Sequence, residues 1–300
     1  MLVAEYVPDR YLATLMIIFY DPSCLKYSRP GHPERPERIA RTAPLLKNRH
    51  AEWEWQRPRA ATDDELLRAH SPQHIERVTN AREDFDLDTP VYPNIETYAR
   101  QAAGGAIEAA RAALRGQSAF SLMRPPGHHA TPDRAMGFCY FSNIAVAALD
   151  ALESGTERVA IWDFDGHHGN GTAAIVAHNR RIQFASVHQF PAYPGTGAKS
   201  FANIDNYPVA SFTPRTEHVN VAKQSLEKLL TFKPDLFLVS AGFDAYVRDP
   251  LLQLTLEHGD FAKFGEWLSN IDIPVAVILE GGYSDHLPEL IDGFLTAWSG

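Results

Sequence analysis

The sequence predicts an α/β chain built on a parallel sheet with helices on both faces. Three observations carry this. Six short apolar runs are continuous rather than alternating, as strands covered on both faces are. Amphipathic helical patterns lie between them, and strand alternating with helix implies βαβ units. Four of the runs empty directly into Gly with His, Asp or Tyr, where open parallel sheets place their ligands.

In chain order, the predicted strands are Thr14 to Tyr20, Ala119 to Met123, Val159 to Asp163, Ile182 to Val187, Asp235 to Ser240 and Pro274 to Leu279. The clearest helices are Gln101 to Arg115, Asn143 to Glu153 and Val219 to Leu230. The first sets Ala102, Ala103, Ala106, Ile107, Ala110 and Leu114 on one side. Repeats, low-complexity tracts and long linkers are not found, which favours one compact domain over residues 14–300 after an extension of residues 1–13. The stretch Arg29 to Arg38, RPGHPERPER, precludes helix before about Glu37 and reads as a solvated loop, a kind that can also rim a site.

The 300 residues are 45% hydrophobic and 22% charged, ordinary for a globular chain. With 28 basic against 37 acidic residues the net charge is -9, which argues against binding dominated by nucleic-acid phosphates or an anionic membrane. The two cysteines, Cys24 and Cys139, cannot make a disulfide framework, and Cys139 among aromatic residues reads as a buried thiol. No apolar run reaches the roughly 20 residues that span a bilayer. The start of the chain lacks a basic segment before an apolar one. A soluble cytoplasmic enzyme is the expectation.

The four polar strand ends are Arg124-Pro-Pro-Gly-His128-His129, Asp163-Phe-Asp165-Gly-His167-His168-Gly-Asn170, Ala241-Gly-Phe-Asp244-Ala-Tyr246 and Glu280-Gly-Gly-Tyr283. Asp163, Asp165 and His167 are two apart, so an extended segment puts them on one face, while Phe164 points into the core. Asp244, from another strand end, completes an Asp2His set. Two carboxylates and an imidazole suit Zn²⁺ and leave an open position, and Fe²⁺ or Co²⁺ would also be accepted. A helix-capping carboxylate explains one such Asp, not three plus a His. His128 and His129 supply the acid and base that a metal-held water and a leaving amine require. Asp163 and Asn170 are the candidates to fix their tautomers. Tyr283, behind two glycines, can donate to an oxyanion. Together these parts describe hydrolysis of an amide.

The segments RPPGHHA, GFCYFSNIAVAA, DFDGHHGNGT, PGTG, SAGFDA and EGGY, in this order, resemble the zinc-dependent histone deacetylase superfamily, with its bacterial deacetylase-like and acetylpolyamine amidohydrolases. The resemblance runs from about Tyr20 to Tyr283. It implies an arginase-like fold, one domain with an eight-stranded parallel sheet. It implies one zinc per chain on Asp165, His167 and Asp244, an acid/base pair in His128 and His129, and Tyr283 polarising the substrate carbonyl. Asp163 then orients His128, and Asn170 orients His129. Asn170 stands where some members have Asp, so His129 is expected to be the less basic of the two.

The same resemblance makes Phe138 and Tyr193 the walls of an acyl-lysine channel and Gly137 a backbone contact to the substrate amide. Arg38 becomes the arginine of an internal cavity. Asp163, Asp165, His167, Ser186 and Val187 become a structural potassium site. Asp88 is matched to a rim carboxylate that holds substrate backbone. Leu251 follows Asp249-Pro250 where polyamine-selective relatives can carry Glu, which favours acyl-lysine in a protein or peptide over a small acylated amine. Tyr246 is expected to put an aromatic ring near the rim. The stretch Ala198 to Thr216 is short and implies an open mouth, tolerant of larger acyl groups. The implied activity is removal of acetyl or longer acyl groups from lysine side chains by a metal-bound water. The alternatives are an acetylpolyamine or other small-amide deacetylase, a silent acyl-lysine binding module, and a binuclear ureohydrolase, which would need more bridging carboxylates than His168 and Asn170 offer. An oligomer is left open.

Overall fold

A computed structural model describes residues 16–300. The expected boundary between residues 13 and 14, and the start of the first predicted strand, lie outside the described residues. Among the described residues eight strands form one sheet: β1 (Ile17–Phe19), β2 (Glu54–Gln56), β3 (Ala119–Ser121), β4 (Val159–Asp163), β5 (Ile182–Gln189), β6 (Ile204–Val209), β7 (Leu236–Ala241) and β8 (Val275–Leu279). Their order is β2-β1-β3-β8-β7-β4-β5-β6, and every pairing is parallel. The chain first builds outward in both directions, and β7 and β8 then fill the gap between β3 and β4. All eight carboxyl ends therefore share one edge, and the four strands with polar ends, β3, β8, β7 and β4, stand side by side at its centre.

Both faces are covered. Alternate residues of β4 enter opposite cores: Ala160 and Trp162 one, Val159 and Ile161 the other. Phe237 and Val239 against Leu236 and Leu238 do the same on β7. Two-sided burial is why these strands read as unbroken apolar runs. The first face carries α1 (Glu37–Arg49), α7 (Arg215–Leu230), α8 (His258–Ser269) and α9 (Leu287–Ser299). The second carries α3 (Pro72–Thr79), α4 (Ile95–Leu114), α5 (Asn143–Glu153) and α6 (Asn170–Val176), with the short α2 (Asp63–Leu67) beside them. Trp162 is fully buried, and its indole N–H donates to Ser225 Oγ at 2.9 Å. Truncating it to Ala would cost about 3–5 kcal/mol.

Helix α5 has the predicted bounds. Helix α4 starts six residues earlier than predicted, and Leu114, expected on its buried side, is 38% exposed at the last turn. Helix α7 starts four residues earlier, directly after Pro214. The two strands absent from the residue-by-residue expectation, β2 and β6, are the two edges of the sheet. Among the described residues no helix is long and apolar enough to cross a membrane.

Candidate active site

The end of β4 turns through a chain of carboxylate caps. Asp163 Oδ1 accepts from the Asp165 N–H at 3.1 Å, and Asp165 Oδ1 accepts from the His167 N–H at 2.9 Å. Each Asp thus bonds its own backbone two residues on, as Asx turns do, and the side chains at 163, 165 and 167 gather on one side. Asp244, after β7, reaches across: its Oδ1 accepts from the Gly166 N–H at 2.6 Å, and its Oδ2 lies 2.7 Å from His167 Nδ1. His167 Nδ1 is 3.3 Å from Asp165 Oδ1. The Gly281 N–H, after β8, donates to Asp165 Oδ2 at 2.7 Å. One ligand atom from each of Asp165, His167 and Asp244 lies within 4.8 Å of the others, and all three residues are buried.

The electrostatics fit a cation at this point. Burial penalises Asp165, but His128 and His167 hold its carboxyl well below the usual range. Burial, with Asp165 adding to it, pushes Asp244 upward. Burial raises Asp163 to about 7 against the pull of His128. Burial also opposes charge on His167, yet Asp244 and Asp165 carry that imidazole up to about 10. Asp163, Asp165, Asp244 and Glu280 crowd one fully buried region, and uncompensated negative charge at that depth is costly. Two carboxylates and an imidazole are a donor set that suits a divalent ion of the zinc type, with a further position left for other ligands.

The paired histidines arrive from β3, after the cis Arg124–Pro125 bond. Their rings lie 4.0 Å apart. His128 Nδ1 is 3.1 Å from Asp163 Oδ2, and His129 Nδ1 is 2.7 Å from Asn170 Oδ1. The two expected orienting pairs are therefore in contact. The histidines differ sharply in basicity. Burial opposes charge on His128, but Asp165 and Asp163 raise it to about 10. Burial lowers His129 well below its usual value, and the neighbouring His128 and His167 lower it further, against the pull of Asn170. His129 is the less basic member as expected, though burial and the adjacent imidazoles are the main causes. Glu280 is a buried brace that sequence reading missed. Its Oε2 accepts from the N–H groups of Gly127 (2.7 Å) and His128 (3.1 Å), and its Oε1 accepts from Ser240 Oγ at 3.2 Å.

Above this floor lies a cleft of about 270 Å³. His129, His167 and Tyr283 line it together with Gly137, Phe138, Tyr193, Leu251 and Asp88, so the expected substrate contacts converge on one space. The Phe138 ring meets Tyr283 at 5.6 Å, and the Tyr193 ring stands edge-on to His129 at 5.2 Å. Gly137 and Phe138 both have positive φ, and a Cβ on Gly137 would come within 2.4 Å of the His129 ring. Only glycine fits there. Burial raises the Tyr283 phenol well above its usual value, so it stays protonated. Arg38 is buried, with its guanidinium 4.9 Å from the centre of the Tyr283 ring.

Several expectations need correction. Tyr246 is not at the rim; it is 5% exposed in the core and meets the His286 ring. The Arg29 to Arg38 loop is only partly solvated. His32 and Pro33 line the cleft, and Glu34 is buried, accepting from Arg124 Nη2 at 2.7 Å and from Arg38 Nη1 at 3.2 Å. His32 and the fully exposed Leu87 are cleft residues that sequence reading missed; the Pro-rich, charged setting of the first masks it. Cys139 is buried as expected, and its thiol pKa is pushed well up by burial. Of the residues matched to a potassium site, Asp163 and Ser186 are direct partners in the β4–β5 register, and Val187 follows Ser186 along β5.

Comparison with known proteins agrees with the fold. The histone deacetylase domain model matches residues 32–297. A probable deacetylase of Methanothermobacter thermautotrophicus is 37% identical over 283 residues, covering 89% of this chain and 86% of its own length. A histone deacetylase-like amidohydrolase of Pseudomonas aeruginosa is 35% identical over 280 residues, covering 85% and 73%. The crystal structure of the HDA15 HD domain superposes with a TM-score of 0.89 at 30% identity, covering 95% of this chain and 91% of that one. With the expected eight-stranded parallel sheet and the histone deacetylase domain spanning nearly its whole length, the chain belongs to the histone deacetylase family of amide-cleaving hydrolases.

Proposed function

We propose that this chain is a zinc-dependent amidohydrolase that removes acetyl, or longer acyl, groups from lysine side chains. The observation that carries the reading is the convergence of Asp165, His167 and Asp244 beneath a cleft whose walls are Phe138 and Tyr193 and whose inner end holds His129 and Tyr283. A divalent cation held by that triad would supply Lewis acidity, polarising the acyl carbonyl and making a water more acidic. The rest is done by the chain. Asn170 holds Nδ1 of the neutral His129, which leaves Nε2 to take the proton from the attacking water and pass it to the departing amine. Asp163, whose Oδ2 lies 3.1 Å from His128 Nδ1, and Asp165 favour the charged form of His128, which would keep positive charge beside the site of reaction. Tyr283 keeps its proton and donates a hydrogen bond to the carbonyl oxygen as charge develops there. The two aromatic walls exclude water from the straight alkyl chain of the lysine, and Gly137 offers its backbone to the amide. Asp88 at the mouth receives substrate backbone N–H groups. The Asp163, Asp165, His167, Ser186 and Val187 group would hold the structural potassium ion that the family resemblance implies.

Leu251 favours acyl-lysine over an acetylated polyamine, because it lines the cleft where a second cationic amine would need a carboxylate. The zinc-loaded protein is expected to turn over an acetyl-lysine peptide with a kcat/KM at least about tenfold above that for acetylputrescine, a 1.4 kcal/mol preference. The reverse order would establish a polyamine deacetylase. No turnover of any acyl-lysine would instead favour a binding module, and two metal ions per chain would favour ureohydrolase chemistry.

A further inference from the structure

The peptide unit joining Gly282 to Tyr283 is gripped at both ends by polar side chains. Arg38 Nε donates to the Gly282 carbonyl at 2.7 Å, and Asp249 Oδ2 accepts from the Tyr283 N–H at 2.7 Å. A trans peptide points its C=O and N–H in opposite directions. The guanidinium and the carboxyl oxygen therefore stand on opposite sides, the donor against the C=O end of the peptide dipole and the acceptor against its N–H end. Gly282 makes this turn with φ +115°, and a Cβ there would come within 2.7 Å of Leu287 and 3.0 Å of Phe243. The other oxygen of Asp249, Oδ1, accepts from the Leu251 N–H at 3.0 Å. Asp249 is 7% exposed; burial and the nearby Asp244 raise its carboxyl to about 7, against the Tyr283 and Leu251 N–H groups that hold it down. Arg38 is itself fixed by Glu34 and by the Glu280 carbonyl.

We propose that Asp249 is a positioning residue for hydrolysis. One carboxylate sets the Tyr283 phenol through the clamped peptide and the channel mouth through Leu251, with Arg38 as the opposing jaw. This rests on the reading of Tyr283 as the group that polarises the substrate carbonyl. A bond to Leu251 alone would make Asp249 a local turn former; the bond to Tyr283, 34 residues away, links the loop after β7 to the loop after β8.

A double-mutant cycle on the zinc-loaded full chain tests it. Tyr283→Phe is expected to lower kcat about 100-fold. Asp249→Ala is expected to lower it about ten- to a hundredfold, as misplaced catalytic groups do. In the Tyr283→Phe background, the Asp249→Ala change should cost less than about twofold in kcat, because its effect runs through the phenol. Its KM increase, which runs through Leu251, should persist in both backgrounds. The affinity for a trifluoromethyl ketone analogue of the acetyl-lysine peptide should follow the same non-additive pattern, while zinc content and Tm control for folding. Asp249→Asn, which keeps one acceptor oxygen, should recover part of the loss and replaces Asp249→Ala if the latter does not fold. Equal losses in both backgrounds, or none in either, would overturn the clamp alone. A fully active Tyr283→Phe would overturn the reading of Tyr283 and the clamp with it.

Discussion

The floor of the cleft and its rim are built in opposite ways. At the floor, Asp163, Asp165, Asp244 and Glu280 are fully buried, and all but Asp163 accept backbone N–H groups from a different strand end. Their geometry is set by the register of β3, β8, β7 and β4. At the rim, Leu87 is 99% exposed and Tyr193 37%, and the contacts are loop to loop, such as His32 Nε2 to the Asp88 carbonyl at 3.2 Å. Rigid sheet ends hold charge in place, whereas loops present surface to whatever arrives. The difference teaches where to look: chemistry should fail at the floor, and selectivity should change at the rim.

The largest effect is expected from Asp244→Ala. Losing a ligand of the triad should remove the bound cation and lower turnover about a thousandfold or more, read by metal content and kcat together. Wild-type turnover in that variant would break the comparison outright. Asn170→Asp is a gentler change at the floor. A carboxylate beside His129 favours its charged form, so the acidic limb of the pH–rate profile should move up by about one pH unit; an unmoved limb would deny His129 the proton-transfer role.

At the rim, Leu251→Glu places a carboxylate at the mouth. It should shift the ratio of kcat/KM for acetylputrescine over acetyl-lysine peptide upward by about tenfold, with kcat for the peptide changed far less. A kcat collapse would mean the rim is part of the chemistry.

The smallest effect concerns His70, which braces the segment behind both regions. Its Nδ1 lies 3.0 Å from the Thr131 carbonyl, and its Nε2 accepts from the Ser142 N–H at 2.9 Å. Burial lowers its pKa to about 3. The unfolded imidazole protonates near 6.5 and the folded one does not, so below about 6.5 the unfolded state binds more protons. Stability from this group is fully present above that pH and declines as pH falls toward 3. Urea midpoints for wild type and His70→Asn should converge on acidification; parallel curves would exclude His70 from the acid response.

The floor was largely legible in the sequence because its strands are buried on both faces and end in glycine beside titratable residues. Edge strands hide for the opposite reason. Strand β2 is three residues of which none is buried, Glu54–Gln56, and β6 is only half buried and contains Pro208, as edge positions allow. The eighth-strand count therefore followed from family resemblance, whereas the residues alone supported six. Glu280 and Asp249 escaped notice as braces because each bonds backbone N–H groups far along the chain, a pairing that only the strand order creates. Tyr246 misled because its place after the Asp244 motif suggested the rim, while the backbone turns it into the core beside Leu256.

The most direct test is metal analysis of the purified chain combined with X-ray scattering at the zinc edge. One zinc per chain, touched by Asp165, His167 and Asp244 together, is the predicted result, with occupancy lost in Asp244→Ala. A chain that turns over acetyl-lysine with no metal, or with its metal bound away from those three side chains, would contradict it.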